Sequence, residues 1–260
     1  MGARISYLVT GLVVAISVVA LLACGGGGTF NSGQRAPWRG ETERACLAGG
    51  AVQASAHVQP MEEIDGPGVC GLERPLRVSG LSGGRVWVTP AATVGCPMTA
   101  ALDRWVSTAV QPAAYRYFGR PVVAIRQIAS YGCRGRNSNS FGAPSEHAFG
   151  NALDIAGFRL AGGDEVSVVR GWWRGTPRER AFLKAVMAGG CAAFYTMLGP
   201  GSDRHHADHI HVDLLLTNTK RGRHVCQPSW REDVPVAEAG REPRSTASVG
   251  PLSFSGPGAH

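Results

Sequence analysis

Apolar positions recur along this chain at two periods, and the switches between them mark its elements. Met98, Leu102, Trp105, Val106 and Val110 fall near the spacing of one helical face, which predicts a core-facing helix over Cys96 to Val110. Pro121 to Ala129 (PVVAIRQIA) is β-branched and largely alternating, the pattern of a strand. Asn151 to Phe158 (NALDIAGF) reads as another strand, bounded by Gly150 and the Gly162-Gly163 pair. Thr176-Pro177-Arg178-Glu179 opens a helix with a threonine N-cap, a proline in the first turn and a glutamate to close a capping box. That helix is expected to run to about Ala188 and stop at Gly189-Gly190. Ala193 to Leu198 and His209 to Leu216 predict two more strands. Helices and strands without strict βα alternation predict an α+β domain, a small antiparallel sheet with flanking helices.

The ends of the chain follow other rules. Arg4, the apolar stretch Ile5 to Ala23 and the junction Leu22-Ala23-Cys24 predict an export signal over residues 1–23, with Cys24 as the lipidated residue of a bacterial lipoprotein. The stretch is also near the ~20 residues that span a bilayer, so an uncleaved anchor is the competing reading. Residues 24–40 have the glycine, serine and polar content of a flexible linker. The folded domain is expected over 41–230, and residues 231–260 read as a disordered tail with little apolar content.

Composition narrows the partners. With 44% hydrophobic and 17% charged residues, the 260-residue chain can build an ordinary core. Its net charge of +7 favours anionic partners. Export then points to the cell envelope and away from nucleic acid. Setting Cys24 aside, six cysteines remain (Cys46, Cys70, Cys96, Cys133, Cys191 and Cys226), enough for three disulfides in an oxidising compartment. No two lie at the Cys-x₂₋₄-Cys spacing of a zinc-thiolate site.

The chemistry concentrates in Ser145 to Asp154 (SEHAFGNALD) and Asp208-His209-Ile210-His211. His147, Asp154 and His211 offer two imidazoles and one carboxylate, a three-ligand set for one Zn²⁺ that leaves a position for water. Strand period puts His209, His211 and Asp213 on one face, with Ile210, Val212 and Leu214 on the other. Asp208 has the opposite parity and reaches a metal-bound water only from a turn ahead of the strand. Asp213 is placed to orient an imidazole as an acceptor or to be solvated. His205 and His206 read as loop residues. Trp172 and Trp173, taken as strand neighbours, face opposite ways, so at least one belongs to the core.

Ser130 to Asn137 (SYGCRGRN), followed by SEHAFGNALDIAGF, resembles the bacterial extensin-like C-terminal family over roughly Cys46 to Cys226. The pattern Ser-x-His-x-x-Gly-x-Ala-x-Asp with a later Asp-x-x-His is also similar to the zinc D-Ala-D-Ala carboxypeptidases and dipeptidases of the lysostaphin-type peptidoglycan metallopeptidase group. That resemblance implies a hedgehog/D-Ala-D-Ala-peptidase-like fold with one zinc ion on His147, Asp154 and His211. It implies Asp208 as general base, with His206 or His209 as alternatives, and His209 as a transition-state stabiliser. Arg134 would contact substrate or oxyanion, with Arg136 in reserve, and Ser145 would touch substrate. The activity implied is a peptidoglycan D,D-carboxypeptidase or endopeptidase, monomeric, membrane-tethered and periplasm-facing. The competing expectation is a metal-stabilised cell-wall binding module without turnover.

Overall fold

A computed structural model describes residues 33–139, 142–215 and 224–227 of the chain. The expected export segment, Cys24 and the expected tail lie outside these residues. Among the described residues no helix is long and apolar enough to cross a membrane.

The chain runs through helix α1 (Pro37–Ala48) and strands β1 (Val58–Pro60), β2 (Ile64–Asp65), β3 (Gly71–Leu72), β4 (Leu76–Leu81) and β5 (Val86–Val94). A helical crossover follows, made of α2 (Cys96–Trp105), a π turn over Val106–Val110 and α3 (Gln111–Phe118). Then come β6 (Val122–Ala129), β7 (Ala152–Leu160), β8 (Glu165–Ser167), α4 (Val168–Arg174), α5 (Pro177–Gly190), β9 (Thr196–Leu198), β10 (Ile210–Asp213) and β11 (Val225–Gln227). Nine of these strands form one sheet in the order β1-β4-β5-β6-β7-β10-β9-β11, with β8 also paired to β7; β2 and β3 form a separate pair.

The sheet is therefore larger than expected, and it is mixed. β5 pairs with β6 and β9 with β11 in parallel, and every other pairing is antiparallel. Parallel neighbours require a long crossover, and the α2–α3 segment supplies one between β5 and β6. Periodicity predicted the helix over 96–110 but not its continuation to Phe118. Pro112 has no N–H for the carbonyl four residues back, and its ring crowds that turn; the wide π turn ahead of it absorbs the conflict. Gly119, at φ +68°, ends the helix.

Alternation along the central strands decides the two faces. Leu153 and Ile155 of β7, Ile210 and Val212 of β10 and Met197 of β9 are fully buried and join the apolar side chains of α2, α3 and α5 in one continuous core. The intervening residues, Asp154, His211, Asp213, Thr196 and Leu198, line a cleft on the sheet's other side. The predicted strands are realised with ends shifted by a few residues, β7 running on to Leu160, and α5 carries the predicted capping box between Thr176 and Glu179. Trp172 and Trp173 lie on a helix, not a strand; Trp172 is buried and Trp173 exposed.

Helix α1 begins four residues inside the segment expected to be a linker. It buries Gly40 and Glu43 where an apolar face would be, so hydrophobic periodicity had nothing to detect. Disulfide Cys46–Cys96 ties it to α2. The other pairs are Cys70–Cys133, beside the segment carrying Arg134, and Cys191–Cys226, which fastens β11.

Candidate metal centre

Register brings the central pair together: in the β7–β10 ladder Asp154 lies directly opposite His211. His147 arrives from a tight turn just before β7, a single 3₁₀ turn over Glu146–Phe149. Ser145 caps that turn by accepting from the His147 N–H at 3.4 Å. Gly150 closes it at φ +63°, where a Cβ would stand 2.5 Å from a Leu72 methyl, so a side chain is excluded there on two counts.

The three side chains are buried, and their donor atoms form a small triangle. His147 Nε2 lies 3.2 Å from Asp154 Oδ1 and 3.2 Å from His211 Nδ1, and His211 Nδ1 lies 2.7 Å from Asp154 Oδ1. Ligands about 2.0–2.1 Å from a tetrahedral zinc stand about 3.3 Å apart, so the spacing suits one ion. Among the described residues this is the cluster able to hold a metal.

Neighbours fix how each imidazole is presented. His147 Nδ1 sits 2.6 Å from the Ser130 carbonyl, which can only accept, so that nitrogen donates and Nε2 is turned inward. Nε2 faces the Asp154 carboxylate at 3.2 Å, where it donates a hydrogen bond or, with a cation between the two, turns a lone pair to that ion. His211 Nε2 lies 3.0 Å from Asp213 Oδ2, which leaves Nδ1 to face the triangle. A carbonyl or carboxylate behind each ligating imidazole is how metal-binding histidines are commonly oriented. Asp213 thus takes the orienting role.

Electrostatics agree with this wiring. Burial pushes the Asp154 carboxyl up, but hydrogen bonds and charge from His147 and His211 outweigh it and hold it well below the usual carboxylate range. Burial pulls His211 down, yet Asp154 and Asp213 on either side raise it to about 9. Without a metal, that ring carries a proton which a cation would displace.

The remaining predicted residues lie around a cleft of about 490 Å³ above the triangle. The Arg134 guanidinium is 3.2 Å from Asp154 Oδ2, so it steadies this carboxylate from outside the triangle. Arg136 is exposed and lines the cleft, while Ser145 is engaged as the cap. Asp208 does lie in a turn ahead of β10, but its side chain is 64% exposed and receives the His209 Nδ1 proton at 2.8 Å. His209 directs Nε2 toward the cluster, 3.6 Å from Asp154 Oδ1. His206, expected to be a plain loop residue, is buried on the cleft wall, with Nδ1 held by both carboxylate oxygens of Asp203 at 2.8 and 2.9 Å. Burial lowers its pKa against the pull of Asp203.

One support of the site escaped the sequence reading. Arg39 of α1 forks both oxygens of Glu146 at 3.0 and 2.9 Å and lies 3.5 Å over the Phe149 ring. Asn151 adds a hydrogen bond to the same carboxylate at 3.3 Å. The turn carrying His147 is thereby clamped at both ends to α1, with Arg39 and Glu146 separated by 107 residues along the chain. The Gly150 boundary and the spacing of His147 from Asp154 were visible in the sequence, whereas Ser145 was expected at the substrate and proves to be the cap; a partner as distant as Arg39 was not visible.

Fold and site define a mixed-sheet α/β protein with three disulfides and a buried His-Asp-His cluster, able to hold a metal ion, beneath an open polar cleft. The chain belongs to the extensin-like protein C-terminus family, which it matches over residues 44–227. No curated protein and no solved structure gives a significant match.

Proposed function

We propose that this protein is a zinc-dependent peptidase of the bacterial cell wall, hydrolysing an amide bond in peptidoglycan stem peptides or their crosslinks, as a carboxypeptidase or an endopeptidase. The observation that carries the reading is the convergence of His147 Nε2, His211 Nδ1 and Asp154 Oδ1 at the floor of an open cleft, with both imidazoles oriented from behind. A bound zinc would acidify a water and polarise the scissile carbonyl. His209, oriented by Asp208, is the group to take the water's proton and pass it to the leaving amine. This reverses the roles implied by the family resemblance, with Asp208 acting through His209. Arg134, half-exposed at the cleft, both steadies Asp154 and offers positive charge to a developing oxyanion. In this reading the chain is exported and held at the envelope by its first 24 residues, and it works as a monomer.

Muropeptide analysis of sacculi treated with the zinc-loaded protein tests the proposal. New shorter or uncrosslinked products are expected, lost with chelator and reduced by about 100-fold or more in His209→Ala. An unchanged profile with the metal-loaded protein would reject it. The outward-facing Asp208 favours a second reading, a metal-stabilised wall-binding module without turnover, for which sacculus binding without any new product is the mark.

A further inference from the structure

Helix α4 divides into two faces. Val168, Gly171 and Trp172 are buried, whereas Val169, Arg170, Trp173 and Arg174, at positions i, i+1, i+4 and i+5, share the exposed side. Trp173 is 66% exposed and Val169 54%. Single exposed apolar residues are ordinary. Here two stand one turn apart on the wall of a second groove of about 780 Å³, beside the small or hydroxylated Ser167, Gly171, Gly175 and Thr176. The groove's two carboxylates are already engaged: Glu165 accepts from Arg126 Nε at 2.8 Å, and Glu179 closes the capping box on Thr176. Arg170 and Arg174 make no ion pair among the described residues. The groove therefore offers one broad aromatic face, hydroxyl and backbone groups, and two arginines without an ion-pair partner among the described residues.

We propose that this groove docks an anionic glycan strand. The apolar C–H face of a sugar ring lies on the Trp173 indole, and Arg170 and Arg174 take carboxylates borne by the sugar or by its attached peptide. Concavity argues for a strand over a lipid surface, which is better met by a protruding apolar face. A short run of contacts leads from the groove's helix to the edge of the metal-centre cleft. Trp172, the buried neighbour of Trp173, packs against the turn at Gly199, where a Cβ would stand 3.2 Å from its ring. That turn directly follows Leu198, which lines the cleft. The identity of the strand rests on the peptidoglycan reading above; the groove and its charge do not.

The test uses the full-length protein with three probes: peptide-free, carboxylate-bearing glycan strands released from sacculi by amidase, a free stem peptide, and phosphatidylglycerol vesicles. Trp173→Ala is expected to weaken glycan binding by about fivefold or more, with Trp173→Phe retaining most of it. Arg170→Glu with Arg174→Glu is expected to abolish binding together with its salt dependence. Cleavage of the free stem peptide should be unchanged in all of these variants. That assay reads the metal centre alone, so its failure in the wild type would reject the peptidase reading while glycan binding still decides the groove. Glycan binding equal in wild type and Trp173→Ala would overturn the proposal, as would Trp173-dependent binding to the vesicles without binding to glycan.

Discussion

At the scale of single residues, the behaviour of His211 follows from its two neighbours. Asp154 and Asp213 hold its proton, so in the metal-free protein this ring stabilises the fold in full below its unfolded pKa of about 6.5. The contribution fades as the pH rises through about 9. A metal must expel that proton, so apparent affinity is expected to climb with pH by roughly tenfold per unit until about pH 9. Competition titrations at about pH 6, 7 and 8 measure the slope; a flat profile would mean His211 is not a ligand. The three residues of the cluster were legible because residue type and strand period carry that information. The Ser130 carbonyl behind His147 was not, since every residue has a carbonyl and only the fold decides which one is near. The direction of Asp208 was equally hidden: parity placed it off the strand face, but the turn's path sends it to solvent.

Between elements, the ligand turn is held from outside its own segment. The Arg39–Glu146 fork is buried, with side-chain exposures of 10% and 4%, so removing one partner strands a charge. Arg39→Ala is expected to cost about 3–5 kcal/mol in urea unfolding of the metal-free protein. Arg39→Lys should recover only part of this, because a lysine cannot engage both carboxylate oxygens. A loss under about 1 kcal/mol would show that α1 merely rests on the turn. Helix α1 starts inside the stretch that composition assigned to a linker, and its buried residues are Gly40 and Glu43, which explains why periodicity passed over it. By contrast, β7, β10 and α5 declared themselves through alternation and capping chemistry, and their ends shifted by only a few residues.

Across the whole molecule, a large mixed sheet separates an apolar helical layer from a polar cleft, and three disulfides close loops of 50, 63 and 35 residues around it. Six cysteines announced the bridges, but their pairing was open among fifteen arrangements until the fold chose one. Sheet size was hidden too, because β1, β8 and β11 are three-residue strands too short to show a period. Loop-entropy arithmetic gives each bridge about 4 kcal/mol. Cys70→Ser with Cys133→Ser is expected to lower the thermal midpoint and to loosen the segment leading to Arg134, seen as faster amide exchange there than in β7. Equal exchange in both would place the bridge's effect elsewhere.

Metal stoichiometry tests the account at its centre. Protein purified with zinc present and dialysed free of excess should retain one ion per chain, and the His147→Ala, Asp154→Ala and His211→Ala variants should each retain essentially none while staying folded. Wild-type protein that emerges without metal, or variants that keep the full equivalent, would contradict it.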